Sequence, residues 1–375
     1  MTIESSRRNF LAAGLALPAA GGGAAAPALR HRTLGRTGLK VTTVGFGCLI
    51  TTDSSVISRA IDLGLNYFDT ARQYQKGNNE RMVGAALGAR RKSVILSSKV
   101  DPDGILDKQG ALRDLDISLK ELATDYLDIW YLHAKDSPDR ITGDLMEAQE
   151  IAKTQGKIRF LGLSTHRLPA VAPFILKTGK TDVVMASYNF TMAGEVDPAL
   201  ESLHKAGVGL VAMKVMAGGF RRLRPADKLH STLQREGAML AALKWVLKNP
   251  NVDSTVPSMS DAEQLEENLR AMREPFSAAD EKALAARLEE IRPYYCRMCG
   301  RCDGKCPQGL PVAEMLRYLT YADGYGQFAL GREEFLKLPP QIRQVRCRQC
   351  LACTIRCPNG VQVSKRLIRA QELFG

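Results

Sequence analysis

The run "SVILSSKV" (93–100), the stretch "QGALRDLDISLKEL" (109–122) and the run "YLDIWYLH" (126–133) stand one after another and decide the fold. The outer two are short, apolar and rich in β-branched or aromatic residues, as strands are. The middle one is amphipathic at helical spacing. Working outward, the same alternation recurs. Strand-like runs are "TTVGFGC" (42–48), "NYFDTA" (66–71), "IRFLGLSTH" (158–166), "DVVMASYNF" (182–190), "GVGLVAMKV" (207–215) and "DSTVPSM" (253–259). Amphipathic stretches include Ser55–Leu63, Leu145–Thr154 and Met239–Lys248. Eight strands alternating with helices over about 240 residues is the count of an α/β (β/α)8 TIM barrel. An open doubly wound sheet uses the same alternation, but no G-x-G-x-x-G follows an early strand. "RTLGRTGLKV" (32–41), with Gly35 and Gly38 between apolar residues, reads as a hairpin ahead of the first barrel strand.

The 375 residues leave room for a second, smaller domain beyond such a barrel. Composition is that of a globular protein, 45% hydrophobic and 25% charged, and the only long charge-poor run is near the N-terminus, so no internal membrane span is expected. Net charge is +12, concentrated in the N-terminal arm and the last quarter. No basic motif interleaved with aromatics is present, so nucleic acid is not an expected partner.

Eight of the nine cysteines lie from Cys296 onward. "CRMCGRCDGKCP" carries Cys296, Cys299, Cys302 and Cys306, and "CRQCLACTIRCP" carries Cys347, Cys350, Cys353 and Cys357. Each copy has the C-x2-C-x2-C-x3-C-P spacing of a bacterial ferredoxin. A zinc ribbon needs only paired C-x2-C units, and a disulfide scaffold spaces its cysteines irregularly. Two [4Fe–4S] clusters are therefore expected. In two-cluster ferredoxins the fourth cysteine of each run serves the other cluster. That rule groups Cys296, Cys299 and Cys302 with Cys357, and Cys347, Cys350 and Cys353 with Cys306. "PVAEMLRYLTYA" (311–322) is helical in pattern, so the tail resembles helical ferredoxin-like modules fused to oxidoreductases. The domain boundary is placed at Arg292-Pro293, giving a barrel over 32–291 and a mostly α-helical cluster domain over 292–375. Arg297, Arg301, Lys305, Arg346, Arg348 and Arg356 crowd the cysteines, for charge balance with an anionic cluster or for docking an acidic redox partner.

Catalytic groups of such barrels sit where the strands end. The polar residues there are Asp69, Lys99 and His133, with Tyr74 on the loop after Asp69. A phenol near an ammonium held by a carboxylate is a lowered-pKa acid, and a neighbouring histidine orients a substrate oxygen. With these residues, "FDTARQYQKGNNERMVGAAL" (68–87), "SSKV" around Lys99, "IWYLH" ending at His133 and "RTLGRTGLKVTTVGFG" (32–47) resemble the aldo-keto reductase superfamily over roughly residues 32–275. The resemblance implies carbonyl reduction by hydride from NADPH or NADH. It makes Tyr74 the general acid, Lys99 the group that lowers its pKa, Asp69 the anchor of Lys99 and His133 the group that positions the carbonyl oxygen. Matching nucleotide positions are Ser164, Asn189, Met213, Lys214, Ser258, Gln264, Glu267 and Asn268. Thr165, Met185, Met213, Ser258 and Gln264 depart from the family's usual residues there.

"SSRRNFLAAGLALPAAGGGAAAPA" (5–28) resembles a twin-arginine export signal, with Arg7-Arg8, a mildly apolar run and Ala26-Pro27-Ala28 as a cleavage site. It implies a periplasmic or exported protein delivered already folded. The competing reading is an N-terminal extension on a cytoplasmic protein. Two functions stand at this stage: a carbonyl–alcohol oxidoreductase on a small molecule, and an electron-transfer or binding protein whose barrel no longer uses NAD(P)H.

Overall fold

β1 (His31–Thr33) and β2 (Lys40–Thr42) pair antiparallel as the expected hairpin. Eight parallel strands follow: β3 (Phe46–Gly47), β4 (Tyr67–Asp69), β5 (Ile95–Val100), β6 (Leu127–Leu132), β7 (Ile158–Thr165), β8 (Val183–Ser187), β9 (Gly209–Met213) and β10 (Ser254–Thr255). Each pairs with the next in chain order, and bridges from Val44 to Thr255 and from Gly47 to Ser258 nearly close the ring. This computed structural model describes residues 29–100, 106–219, 237–350 and 352–375. The export signal expected over 1–28 lies outside the described residues. The first and last barrel strands are two residues each, shorter than the runs 42–48 and 253–259 suggest. Gly45 and Gly47 have no side chain to pack there, and Pro257 has no N–H for a ladder.

Helices α1 (Ser54–Asp62), α2 (Asn78–Leu87), α3 (Lys108–Glu121), α4 (Gly143–Thr154), α5 (Leu168–Thr178), α6 (Ala193–Lys205), α7 (Ala238–Lys248), α8 (Ala262–Arg273) and α9 (Ala278–Ile291) surround the strands. Their starts are written in the sequence: the side chains of Asp53, Asp107, Thr142, Asp261 and Ser277 each accept from an N–H of the first turn.

Strand side chains alternate between two cores. Phe68, Leu96, Trp130, Leu161, Val184 and Leu210 pack outward under the helices. Tyr67, Ile95, Ile129, Tyr131, Val183, Met185 and Val211 fill the barrel, plugged at the strand starts by Leu34, Leu39 and Val41 of the hairpin. Gly162 makes this filling possible, because a Cβ there would fall 2.5 Å from the Tyr131 ring. Asp69 and His133, two residues beyond Tyr67 and Tyr131, and Lys99, four beyond Ile95, stand at the barrel mouth.

The last quarter is helical: α10 (Val312–Asp323), α11 (Phe328–Leu336), α12 (Pro340–Gln344) and α13 (Val363–Phe374), with no strand after β10 among the described residues. Leu316, Leu319, Phe335, Leu367 and Phe374 form its separate core, with cysteines at its edge. Asp323 of α10 holds Arg366 and Arg369 of α13 at 2.7 and 2.6 Å. This module lies across the barrel mouth. Gly324 and Gly218 meet backbone to backbone: a Cβ on Gly324 would sit 2.1 Å from the Gly218 carbonyl oxygen. Arg167, at the start of α5, donates to the Met298 carbonyl at 3.2 Å and pairs with Asp303 at 2.5 Å.

Candidate active site

Asp69 and Lys99 are 3% and 1% exposed, facing each other from neighbouring strands β4 and β5. The Lys99 ammonium donates to the Asp69 carboxylate, to the Thr70 carbonyl at 2.8 Å and to the Tyr74 hydroxyl at 3.4 Å. Asp69 also accepts from Ser97 Oγ at 2.7 Å, which continues through Tyr67 to Tyr131 inside the barrel. The Tyr74 and His133 rings meet edge to face, centroids 6.1 Å apart. All four tetrad residues expected from the sequence are thus gathered at one end of the barrel.

Tyr74 is held by a strained loop. Gln75 and Lys76 take φ of 51° and 56°, a left-handed region that costs non-glycine residues about 1–2 kcal/mol each. Side-chain bonds offset that cost: Gln75 donates to the Thr51 carbonyl at 2.8 Å, and Arg72 pairs with the buried Glu80 at 2.5 Å.

The protonation states differ in one respect from the sequence expectation. Burial, then the Asp69 carboxylate, raises the Tyr74 pKa well above its ordinary value. The expected lowering by Lys99 is outweighed, because the ammonium already faces Asp69 and the phenol lies in an enclosed site. Burial likewise pulls Lys99 down and pushes Asp69 up, against their mutual attraction. His133 is driven well below its ordinary pKa by burial, with Lys99 and His166 adding to it. At neutral pH the phenol carries its proton and His133 is neutral.

One continuous pocket runs from Asp69, Tyr74 and His133 past Met185, Met213 and Lys214 to Ser258, Gln264 and Asn268. Its length beyond the tetrad, and the Asn268 Oδ1 that is buried without a partner, fit an extended ligand such as a dinucleotide. Other expected nucleotide contacts stand outside its lining. Ser164 Oγ accepts from the Ala134 N–H at 2.9 Å, Asn189 donates to the Tyr295 hydroxyl and the Lys214 carbonyl, both at 3.0 Å, and Glu267 is on α8 away from the pocket wall. The Lys214 ammonium lies 5.5 and 5.9 Å from the rings of Tyr321 and Tyr325.

Sequence reasoning missed two parts of this site. His166, at the end of β7, lines the pocket and bonds through Nδ1 to Asp136 at 2.9 Å. The signal was there in "STH", two residues past Ser164. The other part is the roof, where Arg317, Tyr321 and Tyr325 from the cluster module line the same pocket as the tetrad. Nothing in a single sequence points a distant helix at a barrel mouth.

The cysteines fall into the two crossed groups. Burial pushes the Cys296 thiol up to about 12, with Cys302, Cys299 and Cys357 close enough to add to the shift. Cys347 is pushed up to about 11 by burial, with Cys350, Cys306 and Cys353 as neighbours. Cys306, Cys347, Cys350 and Cys353 line one cavity. Among the described residues no three ligand side chains close on a point as one metal ion would need. Four thiols spread around a cavity suit a larger polynuclear group. The first group borders the barrel through Tyr295 and Met298, while Cys350 of the second is exposed.

A parallel eight-stranded barrel with Tyr, Lys, Asp and His at its C-terminal mouth has the fold and the site position of a TIM-barrel enzyme. Comparison with known proteins gives the family. The chain belongs to the aldo/keto reductase family, whose profile matches residues 52–289, and a 4Fe-4S dicluster domain matches residues 295–361. It is 28% identical to the uncharacterized oxidoreductase YqkF of Bacillus subtilis over 285 residues, 65% of this chain and 91% of the relative. Among solved structures it is similar to the holo form of aldo-keto reductase AKR11C1 from Bacillus halodurans, with TM-score 0.59 and 27% identity over 69% of this chain and 96% of the other. An aldo-keto reductase from Klebsiella pneumoniae in complex with NADPH gives TM-score 0.58 and 25% identity, covering 70% and 95%.

Proposed function

We propose that this protein interconverts a carbonyl and an alcohol on a small molecule, with Tyr74 as proton donor and NADPH or NADH as the hydride source. The observation that carries the reading is the gathering of Asp69, Lys99, Tyr74 and His133 at the floor of one pocket. A carbonyl oxygen placed between the Tyr74 hydroxyl and the His133 ring meets two hydrogen-bonding groups where negative charge develops. Tyr74, protonated at neutral pH, gives its proton to that oxygen. The phenolate left behind is steadied by the Lys99 ammonium 3.4 Å away, which Asp69 holds in place. The bound nicotinamide supplies the hydride. Met185 and Met213 offer it an apolar wall, and Ser258, Gln264 and Asn268 the polar end of the pocket.

In this reading the two crossed cysteine groups each hold a [4Fe–4S] cluster. The cluster nearer the barrel braces the roof, and the outer one, beside Arg346, Arg348 and Arg356, faces a redox partner. Residues 1–28 direct the folded protein to the periplasm by the twin-arginine route. Because no nicotinamide pool is expected there, the nucleotide stays bound through turnover.

A second reading draws on Asn189 and Lys214, which the tail's Tyr295, Tyr321 and Tyr325 engage. There the barrel has given up nucleotide and the protein works through its clusters alone. One experiment separates the two. The purified, exported protein is denatured and the supernatant assayed for NAD and NADP. Near-stoichiometric nucleotide supports the reductase. No nucleotide, together with no binding of added NADPH or NADH, overturns it.

A further inference from the structure

We propose that the cluster module supplies the residue that selects the substrate. Arg317 of α10 anchors a carboxylate on the carbonyl compound, which makes the substrate class a short oxo acid and its hydroxy acid. This rests on the reading of the pocket as a hydride-transfer site and adds the chemical class of what enters it.

Arg317 lines the same pocket as Tyr74, His133 and His166, and its positive charge helps hold both histidines neutral. Its charge therefore reaches the histidines of the tetrad end. The acidic groups of the pocket have partners. Asp69 has Lys99, and Glu334 has Lys337 at 2.6 Å. Beside the pocket, Asp136 has His166. Arg317 has no carboxylate at ion-pair distance among the described residues. Tyr321 and Tyr318 act on it most and favour the cation, the Tyr318 ring lying 5.3 Å from the guanidinium carbon, while Glu314 on its own helix and Glu334 on α11 act on it less. Lys214, set against tyrosine rings, also lacks a carboxylate partner among the described residues. Two cations with no carboxylate partner among the described residues thus line the same pocket, where an entering anion meets both. A guanidinium presents parallel donors that match a carboxylate two to two, a geometry a lysine cannot reproduce. The carboxylate takes no part in the bond changes: the carbonyl carbon gains the hydride, and the oxygen gains the Tyr74 proton.

A phosphate of the nucleotide is an anion as well, and the test separates it from the substrate. Cluster-loaded full-length protein is titrated calorimetrically with oxamate, an unreactive oxo-acid analogue, and with its neutral relative oxamide. The expected result is binding of oxamate at least about tenfold tighter than oxamide, a preference removed in Arg317→Ala and partly restored in Arg317→Lys. Iron content and visible absorption of each variant check that the module remains intact. No preference for the acid in the unaltered protein overturns the proposal, as does a preference that survives in Arg317→Ala. An equal loss of NADPH affinity in that variant overturns it in favour of a nucleotide contact. These are binding measurements, so they stand apart from whether any carbonyl is turned over. Absence of turnover with intact oxamate selectivity would fault the hydride reading and leave the Arg317 anchor in place.

Discussion

The floor and the roof of the pocket are built in different ways. The floor follows from strand alternation. Asp69 and His133 come two residues, and Lys99 four, after inward core positions of their strands, and Lys99 is tied to Asp69. The roof follows from docking. Arg317, Tyr321 and Tyr325 arrive on a helix and turn of another module, seated by the Gly218–Gly324 contact and by Arg167. A barrel can therefore keep its chemistry while the covering element sets what is admitted.

The largest effect is expected on the floor. Tyr74→Phe should lower kcat by about 10²-fold or more on any carbonyl turned over, the scale of general acid catalysis, with the roof unmoved. Steady-state kinetics checks this, and near-normal turnover would remove Tyr74 from its role.

Cysteine replacement is expected to strike the two sides unequally. Cys357→Ala should lose the cluster bordering the barrel, and Cys306→Ala the outer one, each lowering iron from about eight to about four per chain. Electron paramagnetic resonance of the reduced variants distinguishes the two. If Cys306→Ala instead damages the cluster of Cys296, Cys299 and Cys302, the crossed grouping is wrong.

Much of the floor was legible in sequence because its cause is periodic. Strand period, helix caps and the strand-end rule place Asp69, Lys99 and His133 without any tertiary information. Tyr74 was a candidate from its place on the loop after Asp69, but its role as general acid came from the family resemblance, since its loop is shaped by Gln75 and Lys76 in a conformation that no local preference favours. The cysteine spacing likewise carried its chemistry in one dimension. The roof was illegible for the opposite reason. Arg317 sits within "PVAEMLRYLTYA", which reads as an ordinary amphipathic helix, and only docking brings that arginine into the pocket wall. The same docking explains why Asn189 and Lys214, sound nucleotide candidates by position, are engaged by Tyr295, Tyr321 and Tyr325.

A test of the docking itself comes next in size. Gly324→Ala places a methyl 2.1 Å from the Gly218 carbonyl oxygen, so backbone must shift. A loss of about 1–3 kcal/mol is expected, the usual cost of overpacking. Hydrogen exchange should rise around Gly218, Gly219 and Tyr325 and stay unchanged in β4 and β5. Equal loosening of both regions would mean that floor and roof unfold as one unit.

The smallest effect is on pH dependence. The folded-state pKa of His133 lies below its ordinary 6.5, so the native protein resists the proton that the unfolded chain accepts. Its contribution to stability is fully present above pH 6.5 and is lost as pH falls below it, by up to about 1.4 kcal/mol per pH unit. Denaturant titrations at stepped pH should show a shallower acid slope in His133→Gln than in the unaltered protein. Identical slopes would mean that His133 titrates normally.

The crossing of the cysteines also bears on the order of biosynthesis. The group bordering the barrel draws three thiols from Cys296, Cys299 and Cys302 and the fourth from Cys357. When the third of these leaves the ribosome the whole barrel has been translated, yet the cover over its mouth still lacks the fourth thiol of that group. That thiol arrives only after α10, α11 and α12 have been made. An interrupted translation product would therefore hold a finished floor beneath an unlatched cover. With the cluster placement proposed above, iron loading of this group would report that the chain has been read through to Cys357.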